Sequence, residues 1–248
     1  MIKGIIFDLG GTLMRFQGDL TATERQGAEA VAEWLIKKKR VKVEAPALVE
    51  AIMFARKEGF AQAKETLRPL LARDEIVTAL QRIDAPPRAA TFAQAAVKIF
   101  FQGEEDAHIL LPDALETLKT LSAQGIKLGL LSNASDDALI QRLVNRSGMR
   151  PCLSPAFTSA GLGWQKPKAE PFQLIAKRWQ LPPQHIAVVG DTLTADIQGA
   201  HNAGMTGILV TQTENPRNKK NRRIKPDVTI ATLANLPEII SLTYTPAI

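Results

Sequence analysis

The chain of 248 residues contains a single cysteine, Cys152, so no disulfide can form within it. Such sparse use of cysteine is typical of a reducing compartment. No apolar run approaches the roughly 20 residues that a membrane-spanning helix needs. The N-terminal MIKGIIFDLG holds a short apolar run, but Asp8 interrupts it before it reaches the length of a signal-peptide core. These absences predict a cytoplasmic protein without a membrane partner.

Acidic residues are absent from residues 217–225, RNKKNRRIK, which carry six lysines and arginines. The net charge of the chain is also +6, from 31 basic and 25 acidic residues, so the rest of the sequence is balanced. A solvated loop is the interpretation we favour; a rim that attracts anions or a weak nucleic-acid patch are the alternatives. Because no aromatic residue lies within the run, bases have nothing to stack on, and we expect no specific nucleic-acid partner.

Internal repeats and low-complexity tracts are lacking too. The spacing of the apolar residues divides the chain into segments with strand-like and helix-like patterns. Residues 4–8, GIIFD, predict a buried strand that ends at Asp8. Residues 21 to about 107 instead repeat apolar residues at helical spacing. Thr21 and Glu24 have the spacing of a capping box at the start of this block. The block predicts about four helices.

Strand-like and helix-like segments alternate after Pro112. Strands are predicted in GIKLGLLSN, AFTSAG, HIAVVGD, TGILVT and the beginning of PDVTIATLANLPEII, and helices in DALETLKTLSAQ, SDDALIQRLVNRSG, KAEPFQLIAKRWQ, TADIQGAHNAG and the end of PDVTIATLANLPEII. This alternation predicts an α/β fold whose parallel sheet is covered by helices on both faces. The first strand should join the sheet. We therefore predict a core domain of residues 1–14 and 108–248 and an inserted helical domain of residues 15–107.

Polar residues lie at the predicted carboxyl ends of the strands, which is where open α/β sheets bind ligands. Lys166 stands before Pro167, which disfavours a helix there and places this lysine on a loop. The polar residues at the strand ends and on this loop are Asp8, Ser132, Asn133, Lys166, Asp191 and Asp196.

These residue types, brought together, suit phosphoryl transfer. Asp8 and Asp191 offer hard oxygen ligands of the kind that Mg²⁺ prefers. Ser132 adds a hydroxyl donor, and Lys166 adds a positive charge. The glycines after Asp8 allow backbone N–H groups to approach an anion closely. A carboxylate can also act as a covalent nucleophile through an aspartyl-phosphate.

Four motifs, in order, resemble those of the haloacid dehalogenase superfamily, in the phosphoglycolate-phosphatase-like subgroup that carries a helical cap after the first motif. They are DLGGT at 8–12, SN at 132–133, KP at 166–167 and GDTLTAD at 190–196. The resemblance covers residues 1–14 and 110–240, whereas 15–107 matches only in placement and helical character. It implies a three-layer, Rossmann-like core and Mg²⁺-dependent hydrolysis of a small phosphorylated metabolite.

The resemblance also implies a role for each matching position. Asp8 would be the nucleophile and a Mg²⁺ ligand. Ser132 would bind a phosphoryl oxygen, and Lys166 would orient nucleophile and phosphate. Asp191 would bind Mg²⁺ directly, and Asp196 would support the ion indirectly or through water. The implied substrate-binding residues are Gly11, Thr12, Ser132, Asn133 and Lys166.

Gly10 departs from the family pattern, in which phosphatases usually carry a second aspartate two residues after the nucleophile. That aspartate protonates the leaving group and then activates water, a contribution of roughly 10²–10⁴-fold for general acid–base catalysis. The backbone carbonyl of Gly10, which is the family's metal ligand at this position, remains. A cap residue could supply the acid, and Lys57, Glu58 and Lys64 lie in the right block.

Three functions stay open. The first is a Mg²⁺-dependent phosphatase with a modified acid step. The second is another hydrolase of the superfamily, either a phosphonate-cleaving enzyme, which has alanine at this position and a cap lysine that forms an imine, or a haloacid dehalogenase, which has tyrosine there and uses no metal. The third is a binding or regulatory protein that keeps the pocket. Asp191 and Asp196 argue for a metal.

The histidines, which do not cluster, are interpreted as structural: His108, His185 and His201.

Overall fold

A six-stranded parallel sheet lies at the centre of the computed structural model, which describes residues 1–219, 221 and 223–242. The strands in chain order are β1 (Gly4–Phe7), β2 (Met14–Phe16), β3 (His108–Leu110), β4 (Lys127–Ser132), β5 (Ala156–Thr158), β6 (Ile186–Gly190), β7 (Thr206–Val210) and β8 (Val228–Ile230). The order across the sheet is β5-β4-β1-β6-β7-β8, and every pairing in it is parallel. The predicted parallel sheet, with the first strand inside it, is confirmed.

The register of β1 brings three strand ends together. Phe7 pairs with Leu130 of β4 on one side and with Val189 of β6 on the other. Because the three strands run in the same direction and in step, the residues that follow them meet at one edge of the sheet. All four residues of β1 are buried, as their apolar character predicts.

Helices cover both faces of the sheet. They are α6 (Ala114–Ala123), α7 (Asp137–Arg146), α8 (Ser159–Leu162), α9 (Ala169–Trp179), α10 (Gln198–Asn202) and α12 (Leu236–Leu242), whereas the short α11 (Pro216–Lys219) buries no residue. Ile5 and Phe7 pack on the side of α6, α7 and α12, whereas Ile6 packs on the side of α9 and α10. This alternation follows from the two-residue period of a strand and gives the three layers of an α/β fold. The segment predicted as helix around TADIQGAHNAG begins as a π-helical turn, Leu193–Ile197, before α10.

Five further α-helices lie between β2 and β3: α1 (Leu20–Lys37), α2 (Ala45–Thr66), α3 (Ala72–Arg82), α4 (Ala93–Phe100) and α5 (Gln102–Ala107). About four were predicted, and the short α5 is the additional one. The predicted capping box of Thr21 and Glu24 is wrong, because Asp19 caps α1 by accepting a hydrogen bond from the Ala22 N–H at 3.1 Å. Asp19 has the β-region backbone of an N-cap, and Thr21 is already helical.

A two-stranded antiparallel ribbon, β2–β3, joins this helical segment to the sheet. Met14 pairs with Leu110 and Phe16 with His108, so the chain leaves and re-enters at adjacent points. The ribbon was not predicted. The expected boundary after residue 14 falls inside β2, and the one before residue 108 falls at the start of β3. Among the described residues, no helix combines the length and the hydropathy needed to cross a membrane.

Candidate active site

The polar residues singled out at the strand ends meet at the carboxyl edge of the sheet. Asp8 follows β1, Ser132 is the last residue of β4, and Asp191 follows β6. Lys166 lies on the loop between α8 and α9, as the following proline predicts. Asp196 lies in the π-helical turn after β6. All five side chains are buried.

Lys166 holds two carboxylates at once. Its Nζ lies 2.5 Å from Asp8 Oδ1 and 2.6 Å from Asp196 Oδ1, and the residue is only 4% exposed. Burial alone lowers the pKa of Lys166, but the adjacent carboxylates of Asp196 and Asp8 outweigh it and raise that pKa above its ordinary value. Lys166 is therefore a fixed cation that orients both acids.

Three carboxylates crowd together around this lysine. Asp8, Asp191 and Asp196 each place an oxygen within 4.8 Å of the others. Burial, and then the charge of Asp8, raises the pKa of Asp191. Burial raises the pKa of Asp196 to about 7, although Lys166 acts in the opposite direction. Three acids against one ammonium leave an excess of negative charge, and this oxygen donor set fits a hard divalent cation such as Mg²⁺.

Two glycines let the backbone come close to these carboxylates. Gly11 has φ +82°, and a Cβ on it would overlap the Asp191 carboxylate. A Cβ on Gly190 would likewise overlap the carboxyl of Asp196. Gly10 is different, because a Cβ there would meet nothing within 4 Å. The absence of a side chain at Gly10 is therefore not imposed by crowding.

A cavity of about 260 Å³ opens beside Asp8, and the core and the inserted helices both line it. The core contributes Asp8, Gly10, Ser132, Asn133, Lys166 and Asp196. The helical segment and β3 contribute Arg56, Glu104 and His108. A second cavity of about 560 Å³ lies next to it and is lined by Gly10, Gly11 and Asp191. All of the predicted site residues except Thr12 thus line one of two adjoining cavities, and Gly10 lines both.

Comparisons with known proteins identify the family and the fold of the chain. A family model of haloacid dehalogenase-like hydrolases matches residues 2–204. The chain belongs to this family. Phosphoglycolate phosphatase of Escherichia coli (strain K12) is 26% identical over 220 residues, which is 85% of this chain and 81% of that protein. Glyceraldehyde 3-phosphate phosphatase of Methanothermobacter thermautotrophicus is 32% identical over 134 residues, 52% of this chain and 58% of the relative.

Solved structures of haloacid dehalogenase-like proteins share the fold. The structure of a 2-haloacid dehalogenase from Pseudomonas syringae pv. Tomato DC3000 matches with a TM-score of 0.70 and 28% identity, covering 98% of this chain and 100% of that one. A putative hydrolase of the same family, YfnB from Bacillus subtilis, matches with a TM-score of 0.61 and 22% identity over 96% of this chain and 98% of the other. The predicted α/β core and family membership are confirmed.

Asn133 and Thr12 of this haloacid dehalogenase-like hydrolase occupy different surroundings, although both were implied to bind substrate. The Asn133 side-chain amide donates to the Lys166 carbonyl at 3.1 Å and accepts from the Lys166 N–H at 2.9 Å. Its polar atoms therefore fix the backbone that carries Lys166. Thr12 is fully buried and lines neither cavity, and its hydroxyl has no hydrogen-bond partner among the described residues.

Three residues of the hydrolase that were not predicted from the sequence hold Asp191 in place. The Asn215 amide donates to Asp191 Oδ2 at 2.9 Å, and the Asn218 amide donates to the Asp191 carbonyl at 2.7 Å. The Thr192 hydroxyl donates to Asp191 Oδ1 at 2.9 Å. The sequence around Asn215 and Asn218 contains no recognisable motif. Only the fold brings these two residues to Asp191.

The basic run of the hydrolase, residues 217–225, starts in helix α11 and borders the site. Residues 217–219 are helical and not the predicted loop, but the side chains of Arg217 and Lys219 are exposed, as a solvated segment predicts. Arg217 lines both cavities, and Lys219 pairs with Glu214. Lys220 and Arg222 lie outside the described residues.

Arg56 of α2 is a further residue of the hydrolase that sequence analysis missed. Its guanidinium lies 2.7 Å from a Glu24 carboxylate oxygen and 2.6 Å from one of Glu75, with all three side chains largely buried. The rings of Phe60, Phe100 and Phe101 lie 4.9, 5.0 and 5.3 Å from it. In the sequence, the only indication of this role was an arginine on an otherwise apolar face of the predicted helix.

The suggested cap residues do not line the small cavity of the hydrolase. Lys57 lines an adjoining cavity of about 750 Å³ within the helical segment, which shares Arg56 and Phe60 with the small one, and Glu58 and Lys64 are exposed. His108, interpreted as structural, does line the small cavity. Glu104 also lines this cavity, and no motif or spacing in the sequence selects it.

Proposed function

We propose that this hydrolase is a Mg²⁺-dependent phosphatase that cleaves a small phosphate monoester through a covalent phosphoryl group on Asp8. The observation that carries the proposal is the buried cluster of Asp8, Asp191 and Asp196 beside the Lys166 ammonium. Two similar proteins are a phosphoglycolate phosphatase and a glyceraldehyde 3-phosphate phosphatase, and both names specify a small phosphate ester. A cavity of about 260 Å³ suits a ligand of that size.

The residues then have complementary tasks. An Asp8 carboxylate oxygen attacks phosphorus, forms a new P–O bond and breaks the ester P–O bond. Lys166 keeps Asp8 oriented, and the Ser132 hydroxyl donates a hydrogen bond to a phosphoryl oxygen. Water then attacks the aspartyl-phosphate, which releases inorganic phosphate and restores the Asp8 carboxylate.

Mg²⁺ would be held by Asp8, the Gly10 carbonyl oxygen and Asp191, with Asp196 acting indirectly, and would offset the negative charge where phosphate meets these carboxylates. We extend the proposal to the domain organisation, with residues 15–107 as a cap over a core of 1–14 and 108–248. In support, the Ala72 N–H donates to the Ser135 carbonyl and the Gln165 N–H to the Leu67 carbonyl, at 2.9 and 3.1 Å. These bonds join the helical segment to the two loops that carry Asn133 and Lys166.

Hydrolytic halide release is the second candidate, because the matching structure from Pseudomonas syringae is a 2-haloacid dehalogenase with 28% identity. The excess of carboxylates around Lys166 disfavours it, since a site without a metal would leave that charge uncompensated. Phosphonate cleavage through an imine is less favoured still. Among the described residues that line the small cavity, Lys166 is the only lysine, and its ammonium is engaged by two carboxylates.

The deciding experiment measures phosphate release from a panel of phosphate monoesters, with Mg²⁺ or with EDTA, by wild type and Asp8→Asn. We expect turnover only by wild type with Mg²⁺, together with a phosphoryl group on the peptide containing Asp8 after acid quenching. The matched control is Asp74→Asn, since Asp74 lies on α3 outside both cavities. Metal-independent halide release from 2-haloacids that Asp8→Asn abolishes would establish the dehalogenase instead. If neither reaction occurs while Mg²⁺ still binds, the protein is a binding or regulatory member of the family.

A further inference from the structure

Cleavage of an unactivated phosphate ester needs a proton for the departing oxygen, because an alkoxide is a poor leaving group. Gly10 offers no side chain for this step. Among the described residues, the carboxyl groups that line the small cavity belong to Asp8, Glu104, Asp136 and Asp196. These four acids are therefore the carboxyl groups that could donate this proton.

Three of the four are already engaged. Asp8 is the proposed nucleophile, and Asp196 shares the Lys166 ammonium with it. Asp136 caps α7 by accepting the Leu139 N–H at 2.9 Å. Glu104 differs, because its carboxyl makes no hydrogen bond or ion pair with any residue that the structure describes, although its charge environment includes Arg56 and Glu24.

The segment that carries Glu104 is held in place from the core. On α7, Arg142 Nε donates to Glu105 Oε2 at 2.6 Å, and the Arg146 guanidinium donates to the His108 carbonyl at 2.8 Å. On the other side, His108 pairs with Phe16 in the β2–β3 ribbon, close to the loop that carries Gly10. Glu104 is thus free at its carboxyl and fixed at its backbone, which suits a group that transfers protons at a defined position.

His108 is the competing proton donor, because its ring lines the same cavity. Its Nδ1 lies 2.8 Å from the Glu104 carbonyl oxygen, which can only accept, so Nδ1 carries the hydrogen. Burial lowers the pKa of His108, so the ring is neutral at pH 7 and its Nε2 then has no proton to give. The hydrogen bond at Nδ1 and the neutral ring of His108 therefore both favour Glu104 as the proton donor.

We propose that Glu104 is the general acid and base of the hydrolysis and takes the place of a side chain at Gly10. As the ester P–O bond breaks, the Glu104 carboxyl donates its proton to the departing oxygen and becomes a carboxylate. That carboxylate then removes a proton from the water that attacks the aspartyl-phosphate. The net reaction consumes one water and yields an alcohol and inorganic phosphate, and Glu104 ends protonated as it began. This inference rests on the proposed phosphatase function.

The ionisation of Glu104 supports the assignment. Burial raises its pKa to about 7, with Arg56 opposing and Glu24 reinforcing the shift. A group with a pKa close to the working pH can serve in both protonation states. The charged and titratable groups around it are Glu24 of α1, Arg56 of α2 and His108 of β3, and, across the cavity, Asp8, Asp136, Lys166, Asp196 and Arg217.

The test compares two substrates that differ in their need for a proton: glycerol phosphate, with a poor leaving group, and 4-nitrophenyl phosphate, with a good one. We expect Glu104→Gln to lower kcat/KM for glycerol phosphate by roughly 10²–10⁴-fold. For 4-nitrophenyl phosphate, kcat/KM should fall less than tenfold, because that constant reports only the first step and this leaving group needs little help. A burst of nitrophenol should appear, because removal of the phosphoryl group becomes slow without the base.

Further variants distinguish a catalytic effect of Glu104→Gln from a structural one. Glu65→Gln makes the same substitution on an exposed residue of α2 and should leave both constants unchanged. Gly10→Asp in the Glu104→Gln background should restore much of the glycerol phosphate activity, because the space at Gly10 is open. If Glu104→Gln unfolds, Glu104→Asp takes its place in the test. It keeps a carboxyl but moves it, and its kcat/KM values for the two substrates are then compared with those of wild type.

The outcomes distinguish the two proposals. Equal losses on both substrates, or no loss on either, would overturn the assignment of Glu104 while leaving the phosphatase intact. A leaving-group-dependent loss in His108→Asn, and not in Glu104→Gln, would transfer the role to the histidine. If wild type hydrolyses neither of these two esters nor any other ester of the panel, and so resembles Asp8→Asn, the phosphatase proposal itself fails, and the role of Glu104 falls with it.

Discussion

Gly10 and Gly11 are adjacent residues whose missing side chains have different reasons. Gly11 has φ +82°, in the left-handed region, and its Cα faces the Asp191 carboxylate without room for a Cβ. Gly10 has neither restriction, and open space surrounds it. The structure therefore distinguishes a glycine that the backbone conformation requires, Gly11, from one that has room for a side chain, Gly10.

We expect Gly11→Ala to destabilise the protein by about 1–3 kcal/mol, since it forces a side chain into the left-handed region and displaces Asp191. The rise in Tm caused by Mg²⁺ should shrink in parallel, because Asp191 is a proposed ligand. Gly10→Ala is the matched control and should stay within about 1 kcal/mol of wild type, with the rise in Tm retained. Urea unfolding and thermal melts with and without Mg²⁺ measure both quantities. Equal behaviour of the two variants would contradict the stated difference between the glycines.

At the scale of secondary-structure elements, α1, α2 and α3 are joined by a buried ion-pair group. Arg56 of α2 contacts Glu24 of α1 and Glu75 of α3, and it also donates to the Ser135 hydroxyl of the core at 3.3 Å. The outer surface of α1 and α2 carries a second pair, Arg25 with Glu50, which is well exposed. The same two helices therefore offer a buried and an exposed ion pair for comparison.

Arg56→Met should lower the free energy of unfolding by about 3–5 kcal/mol, because it leaves the buried Glu75 and Glu24 carboxylates without their cation. Adding Glu75→Gln to that variant should recover part of the loss by removing an uncompensated charge. Arg25→Met should have no measurable effect, since exposed pairs contribute little. Urea unfolding at pH 7 is the measurement. A small effect of Arg56→Met would mean that water or another cation reaches Glu75 when the arginine is removed.

Elements with a strong local pattern could be predicted from the sequence, and elements that depend on distant partners could not. The core strands are apolar runs bounded by turn residues, and α1–α4 repeat apolar residues at helical spacing, so both were found. The strands β2 and β3 have three residues each and pair across the whole insertion, which no local pattern reveals. The start of α1 was misplaced because Asp19 competes with Thr21 as a cap, and both residue types are good caps.

At the scale of the whole molecule, the candidate site joins residues from two parts of the chain. The strand-end residues and Lys166 were predicted together because parallel strands in register present their carboxyl ends at one edge. The contributions of Arg56 and Glu104 depend on how the helical segment lies over that edge, and sequence spacing does not encode that. The three suggested residues of the insertion were misplaced for the same reason.

The placement of Glu104 inside the assembled molecule has a consequence for global stability that is independent of catalysis. Its pKa rises from an ordinary value of 4.5 to about 7 on folding, chiefly because burial disfavours the charged form. Between these values the folded chain retains a proton that the unfolded chain has lost. Stability contributed at this site is therefore present below about pH 4.5 and lost as the pH rises toward 7.

Glu104→Gln removes this titration, so the variant should gain stability relative to wild type as the pH rises. We expect the difference in unfolding free energy to move by about 2–3 kcal/mol in favour of the variant between pH 5 and pH 8. Urea unfolding in metal-free buffer at both pH values measures it. Glu65→Gln, at an exposed position, should show the same difference from wild type at both. A pH-independent difference for Glu104→Gln would mean that this carboxyl is solvated, and a solvated carboxyl would be ionised at pH 7 and unable to protonate a leaving group.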